Sequence, residues 1–176
     1  MHETRHDLTE GTRTALVDLL NARLADAIDL RQQTKVAHWN VKGPSFIGLH
    51  KLFDEVATEV DEYVDLLAER VVQLGGVAEG TVRQVSRRSG LDEYAAEGGG
   101  KAHVPALADA LADFARVARE AIDTADAEGD QVSADIFTEI ARGTDKWLWM
   151  VESHLPEQEA RDLAERREET GPHVSQ

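Results

Sequence analysis

Apolar residues recur at three- and four-residue spacing over four long stretches, with glycine and proline between them. The first stretch carries Leu16, Leu19, Leu20, Leu24, Ala27 and Leu30 between Thr9 and His38. That period belongs to one face of an α-helix. Val41-Lys42-Gly43-Pro44 interrupts it. Ser45 is then a candidate N-cap for a second helix. Its stripe of Leu49, Leu52, Phe53, Val56, Val60, Val64 and Leu67 reaches Leu74, where Gly75-Gly76 stops it. From Gly75 to Val104 the period fades and glycine becomes frequent. That composition predicts a long crossover with one short helical turn near residues 91–95. Pro105 suits the first position of a third helix running to about Glu128. Gly129 breaks it, Asp130 can cap a fourth helix reaching about His154, and Pro156 ends that one.

Two long helices, a long crossover and two more long helices predict an all-α, four-helix bundle. No alternating apolar pattern competes with it. The expected limits are a flexible N-terminal tail over 1–8, the bundle over 9–155 and a charged C-terminal tail over 156–176.

Composition narrows the chemistry. At 176 residues, 41% apolar and 30% charged, the chain is long enough to bury one core without covalent help. It has no cysteine. Disulfides and thiolate metal sites are therefore excluded, leaving His, Asp and Glu as metal-binding side chains. The first ten residues are polar and resemble no signal peptide. No run approaches the roughly 20 apolar residues that span a bilayer. The expectation is a cytoplasmic protein with no membrane partner. The net charge of −15, from 34 acidic and 19 basic residues, attracts cations and repels polyphosphate backbones. On its own that charge is more readily a matter of solubility or a salty habitat.

The second helix gives the charge a location. His50, Asp54, Asp65 and Glu69 fall at about 0°, 40°, 60° and 100° around it, so they share one face. His50/Asp54 and Asp65/Glu69 are each i,i+4 pairs, near enough to grip one ion. The two pairs are about 16 Å apart along the axis, too far for a single centre. An antiparallel second copy of the helix, related by a two-fold axis, would set one pair beside its partner's other pair and make two equivalent sites. His38, ahead of the short reversal, can join the His50/Asp54 half. Two imidazoles and three carboxylates would suit iron and leave room for water. The competing reading of each residue alone is a core histidine or a solvated acidic face.

The residues His38-Trp39-Asn40-Val41, Gly43, Phe46, Leu49-His50, Phe53-Asp54, Asp65, Ala68-Glu69-Arg70 and Gln73-Leu74-Gly75-Gly76 resemble the signature of the Dps (miniferritin) family. His38, His50, Asp54, Asp65 and Glu69 match every interval of that signature. Asp145-Lys146-Trp147-Leu148-Trp149 also fits, so the resemblance spans about residues 9–155. It implies a ferritin-like bundle assembled as a hollow homo-dodecamer. It further implies ferroxidase sites between subunits, each holding two irons (Fe2+/Fe3+), where hydrogen peroxide or dioxygen oxidises Fe(II) before mineral is stored. Ordinary ferritins build their di-iron site within one bundle, partly from Glu-x-x-His. Here that motif occurs only at Glu3 to His6, ahead of the first helix.

The resemblance assigns further roles. Asp126, Asp130 and Asp135 match acidic residues that line three-fold pores for Fe(II) entry, although Asp130 also suits an N-cap. Glu55, Glu59 and Glu62 form a strip beside the ferroxidase face that could nucleate mineral inside the shell, or simply meet solvent. Trp39 matches a tryptophan near the iron site that intercepts stray oxidising equivalents, packing being the alternative. Trp147 and Trp149 are expected to pack. DNA binding departs from the best-known members, whose flexible tails are lysine-rich. Residues 1–13 carry two arginines against three acids, residues 157–176 three against six, and neither tail has lysine. Weak or absent DNA binding is expected. Two rivals stay open: a nucleoid-compacting protein with little ferroxidase activity, and a shell working with zinc or manganese.

Overall fold

A computed structural model describes residues 1–95 and 100–156, together with Arg161 and Glu165. The described residues form helices α1 (Glu10–Asn40), α2 (Phe46–Gln73), α3 (Val82–Arg88), α4 (His103–Ala127) and α5 (Gln131–Glu152), with no strand among them. α1 pairs with α2 and α4 with α5 as two hairpins, and α1 also packs on α4 and on α3. This is the expected bundle. Its core joins Leu16, Leu20, Leu24 and Leu30 of α1 to Phe53, Val60 and Leu67 of α2, with Leu111 and Phe114 of α4 and Phe137 and Ile140 of α5. Burial of that apolar surface supplies most of the stabilisation, because long helices in water are marginal by propensity alone.

Local chemistry sets the helix ends. Thr9 Oγ1 accepts the Thr12 amide at 3.2 Å and caps α1. α1 continues two residues beyond His38, and the Val41 amide closes it on Ala37 O at 2.9 Å. Ser45 precedes α2 but makes no capping bond with its side chain. Its backbone is not extended, and the Phe46 amide is instead taken by Gly43 O at 3.1 Å. Gly129, at φ +78°, lets the chain leave α4, and Asp130 N–H closes on Ala125 O at 3.0 Å. Asp130 then caps α5, its carboxylate accepting the Val132 amide at 3.2 Å.

Three expectations shift. The short crossover helix is Val82–Arg88, not residues 91–95. Thr81 and Gln84 form a capping box there, and Val85 is buried. Leu91 and Tyr94 still pack against the core, but outside any helix. α4 begins at His103 behind a short 3-10 turn (Gly100–Ala102), so Pro105 is its third residue rather than its first. A proline is tolerated there because the first four amides of a helix have no intrahelical acceptor. α5 ends at Glu152, slightly before the expected His154. The charged tail beyond residue 156 lies, apart from Arg161 and Glu165, outside the described residues.

α2 and α5 run antiparallel, and one close approach sets their spacing. The Tyr63 hydroxyl lies against Gly143, where any Cβ would overlap it. A mid-helix glycine costs roughly 0.5–1 kcal/mol relative to alanine, so α5 accepts a penalty to admit that phenol.

Candidate metal site on the outer face of α2

The end of α1 and the start of α2 bring His38 and His50 together across the short turn. Their rings stack with centroids 3.8 Å apart and planes 22° apart. Each ring bonds to the other residue's backbone: His38 Nδ1 lies 2.8 Å from His50 O, and His50 Nδ1 lies 3.0 Å from His38 O. A carbonyl oxygen only accepts, so both Nδ1 atoms carry the proton. The Nε2 lone pairs are then left for a metal. Backbone carbonyls holding the far side of ligating imidazoles are what metal sites use to set tautomer and ring orientation. The Phe46 ring, 5.1 Å from that of His50, covers the pair from one side.

Asp54 stands one turn beyond His50. Its Oδ1 lies 3.9 Å from His38 Nδ1 and accepts Lys35 Nζ at 2.7 Å. The hydrogen bond from Lys35 is the main reason its carboxyl sits below the ordinary carboxylate value, with the Lys35 charge and both histidines adding to it against some desolvation. Asp54 is thus a carboxylate across the physiological range, with the Lys35 ammonium resting against it. Lys35 was not singled out in the sequence. Its position three residues before His38, on the face turned to α2, was the available signal.

Asp65 and Glu69 are exposed farther along the same face of α2. Between the two halves, Asp61 pairs with Arg31 at 2.6 Å. Among the described residues of one chain, no group of three or more His, Asp or Glu is arranged to hold a metal. The fold therefore brings His38, His50 and Asp54 together, and leaves Asp65 and Glu69 about 16 Å along the helix.

Beside the histidines, Trp39 (61% exposed) and Ile47 (60%) are largely open to solvent. Trp147 packs in the core as expected, whereas Trp149 is 65% exposed and does not. Its position on α5 points away from the neighbouring helices. Glu55, Glu59 and Glu62 are exposed on the flank of α2 nearer α5, and Glu59 Oε1 accepts the Tyr63 hydroxyl at 3.4 Å.

The three pore candidates separate. Asp126 and Asp135 are exposed, and Asp126 accepts a hydrogen bond from Gln131. Asp130 is only 4% exposed. Arg70 Nη2 lies 2.9 Å from both of its oxygens, and Ser133 and the Val132 amide also donate to it. Burial pushes this carboxyl up, but the bonds from Ser133 and Arg70 and the guanidinium charge outweigh it, holding it below the ordinary value. Its lone pairs are committed inside the chain.

No helix among the described residues is long and apolar enough to cross a membrane. The ferritin-like domain family matches residues 17–160. The chain is 43% identical over 157 residues to a DNA protection during starvation protein of Agrobacterium fabrum, covering 89% of this chain and 97% of that one. It is 34% identical over 140 residues to the protein of that name from Brevibacillus brevis, covering 78% and 92%. Among solved structures, Dps of Mycobacterium smegmatis superposes with a TM-score of 0.83 at 31% identity, over 88% of this chain and 89% of that one. DpsC of Streptomyces coelicolor gives 0.83 at 30% identity, over 89% and 92%. With its ferritin-like bundle, its short crossover helix and a histidine pair meeting an acidic helix face, the chain belongs to the Dps family of miniferritins.

Proposed function

We propose that this chain is a ferroxidase and iron-storage protein whose sites are shared between two copies. The observation that carries it is the crossed histidine pair. Both Nδ1–H groups are consumed by backbone carbonyls, so both Nε2 lone pairs are available, with Asp54 one turn away. Among the described residues of one chain these three groups do not close on an ion, so the half-site is incomplete by itself. An antiparallel copy of α2 would add its own Asp65 and Glu69, and the two-fold contact makes the second site at the same time. The exposed Trp39 and Ile47 give such a contact apolar surface beside the ligands.

Iron is the substrate. Two Fe(II) ions held together deliver two electrons to one hydrogen peroxide, which takes up two protons and leaves as two water molecules. Hydroxyl radical, the one-electron product, is avoided. Dioxygen is the alternative oxidant. The carboxylates favour Fe(III) over Fe(II) by charge, which adds driving force. The product would be stored as ferric mineral in a hollow shell, a dodecamer as in the family, with Glu55, Glu59 and Glu62 as nucleating carboxylates. Asp126 and Asp135 would form the negative funnel for Fe(II) entry. Asp130 would act there by positioning the α4–α5 turn. The relatives' names speak of DNA protection, and removal of Fe(II) and peroxide accomplishes that without contact. The lysine-free tails give no cationic arm for DNA.

The test is Fe(II) oxidation by limiting peroxide, followed by stopped flow. The intact protein is expected to consume about two irons per peroxide, and an assembled Asp65→Asn/Glu69→Gln variant to lose the fast phase, a fall of at least about 100-fold as for loss of essential ligands. Oxidation no faster than buffer in the intact protein would remove the ferroxidase reading. A second expectation concerns Lys35. An exposed ion pair is worth at most about 1 kcal/mol, so Lys35→Met should tighten binding of the first divalent cation by up to about fivefold. Calorimetry with Co(II) reads this directly. Weaker binding would mean that Lys35 orients Asp54 instead of competing for it.

A further inference from the structure

Tyr63 has an oxygen where packing needs none. The comparable buried aromatics Phe53, Phe114 and Phe137 have no polar atom, while Tyr63 is 2% exposed and sends its hydroxyl to the α2–α5 seam. Two features accommodate that oxygen. Gly143 clears the space for it at the expense of helix propensity, and Glu59 accepts its proton-bearing bond at 3.4 Å. A phenol hydrogen-bonded to a carboxylate is an arrangement suited to losing an electron, since the proton has somewhere to go as the electron leaves. The buried indole of Trp147 lacks this: its Nε1 has no acceptor among the described residues.

We propose that Tyr63, with Glu59 as proton acceptor, is a one-electron donor that discharges the oxidant formed when peroxide meets a single Fe(II). It rests on the ferroxidase reading. Tyr63 lies two residues from Asp65, about 3 Å along the axis of α2, with the two side chains leaving on nearly opposite sides. An electron can cross the helix there while no atom of the oxidant need enter the core.

One Fe(II) and one hydrogen peroxide, with one proton, yield Fe(III), water and a hydroxyl radical. Tyr63 gives one electron to that radical, which takes a proton from solvent and becomes water. The phenol O–H bond breaks, its proton passes to Glu59 Oε1, and a neutral tyrosyl radical remains beside a carboxylic acid. A second Fe(II) then reduces the tyrosyl radical as Glu59 returns the proton. The sum is two Fe(II), one peroxide and two protons giving two Fe(III) and two waters. Tyr63 therefore holds the two-iron stoichiometry when irons arrive singly.

The experiment uses the assembled full-length protein loaded with less than one Fe(II) per site, mixed with excess hydrogen peroxide, frozen within milliseconds and read by electron paramagnetic resonance. A tyrosyl radical is expected in the intact protein, lost in Tyr63→Phe and diminished in Glu59→Gln, whose amide takes no proton. A spin trap should report more hydroxyl radical from Tyr63→Phe than from the intact protein. Tyr94, hydrogen-bonded to His103 Nδ1 at 3.0 Å, is the internal competitor. A radical that survives Tyr63→Phe, or disappears only in Tyr94→Phe, overturns the assignment, and so does an unchanged spin-trap yield. Oxidation by the intact protein at two Fe(II) per site is followed in parallel. If that is no faster than buffer, the ferroxidase reading fails and this inference with it; if it is fast while the radical results are negative, only the role of Tyr63 falls.

Discussion

Co-assembling a His50→Ala/Asp54→Asn chain with an Asp65→Asn/Glu69→Gln chain should restore about a quarter of the intact protein's peroxide-driven iron oxidation, though each variant alone is inactive. The number follows from two-fold symmetry. With equal amounts and random pairing, about half of the two-fold pairs are mixed. In each mixed pair one site receives both defects. The other receives an intact His38, His50 and Asp54 from one chain and an intact Asp65 and Glu69 from its partner. Half of the sites in half of the pairs are therefore whole. The wide separation of the two ligand pairs along α2 is what makes this outcome the expected one. If both halves served one chain's own centre, mixing would restore nothing. Stopped-flow rates on shells co-expressed from two tagged chains separate the two cases. Recovery indistinguishable from zero, with assembly confirmed by mass, would remove the shared site.

Asp130→Ala is expected to destabilise the fold by about 3–5 kcal/mol, because it strands the buried Arg70 guanidinium without its counter-charge. Both partners are nearly enclosed, with side chains 6% and 4% exposed. The same change removes the α5 N-cap at the Val132 amide and the Ser133 contact. At about 2–4 °C per kcal/mol for a domain of this size, the melting temperature should fall by roughly 10 °C. Replacing the pair together, as Arg70→Met/Asp130→Ser, should cost much less. It leaves no orphan charge and keeps a capping hydroxyl. The pH dependence has a definite sign. The folded-state carboxyl of Asp130 lies below its ordinary 3.8, so its stabilisation is present above that value and is lost as pH falls through the folded one. The melting difference between the intact protein and Asp130→Asn should be flat near neutrality and close below about pH 4. A gap unchanged in acid would mean that shape, not charge, holds the turn.

The sequence by itself determined the four long helices, the breaks between them and the Asp130 cap. These depend on a 3.6-residue period and on local bonds between a side chain and amides two or three residues away, and both are written along the chain. It also determined that His50, Asp54, Asp65 and Glu69 share a face, and that one helix cannot close both pairs on one ion, since rise and angle per residue are constants of the helix. The Thr81–Gln84 capping box was equally legible, yet the fading periodicity around it drew the start of the short helix nine residues too late. Only the tertiary structure decided which nitrogen of each histidine is free, because the carbonyls that hold His38 and His50 belong to each other's helices. It alone placed Lys35 on Asp54, turned Trp149 outward and put the Tyr63 hydroxyl against Gly143. Asp130 shows the division most clearly: its cap is local, but its pairing with Arg70 spans sixty residues and depends on the register of α2 against α5. Contacts of that kind are set by how helices slide and rotate on one another, and side-chain packing across the whole core, rather than any period within one segment, sets that register.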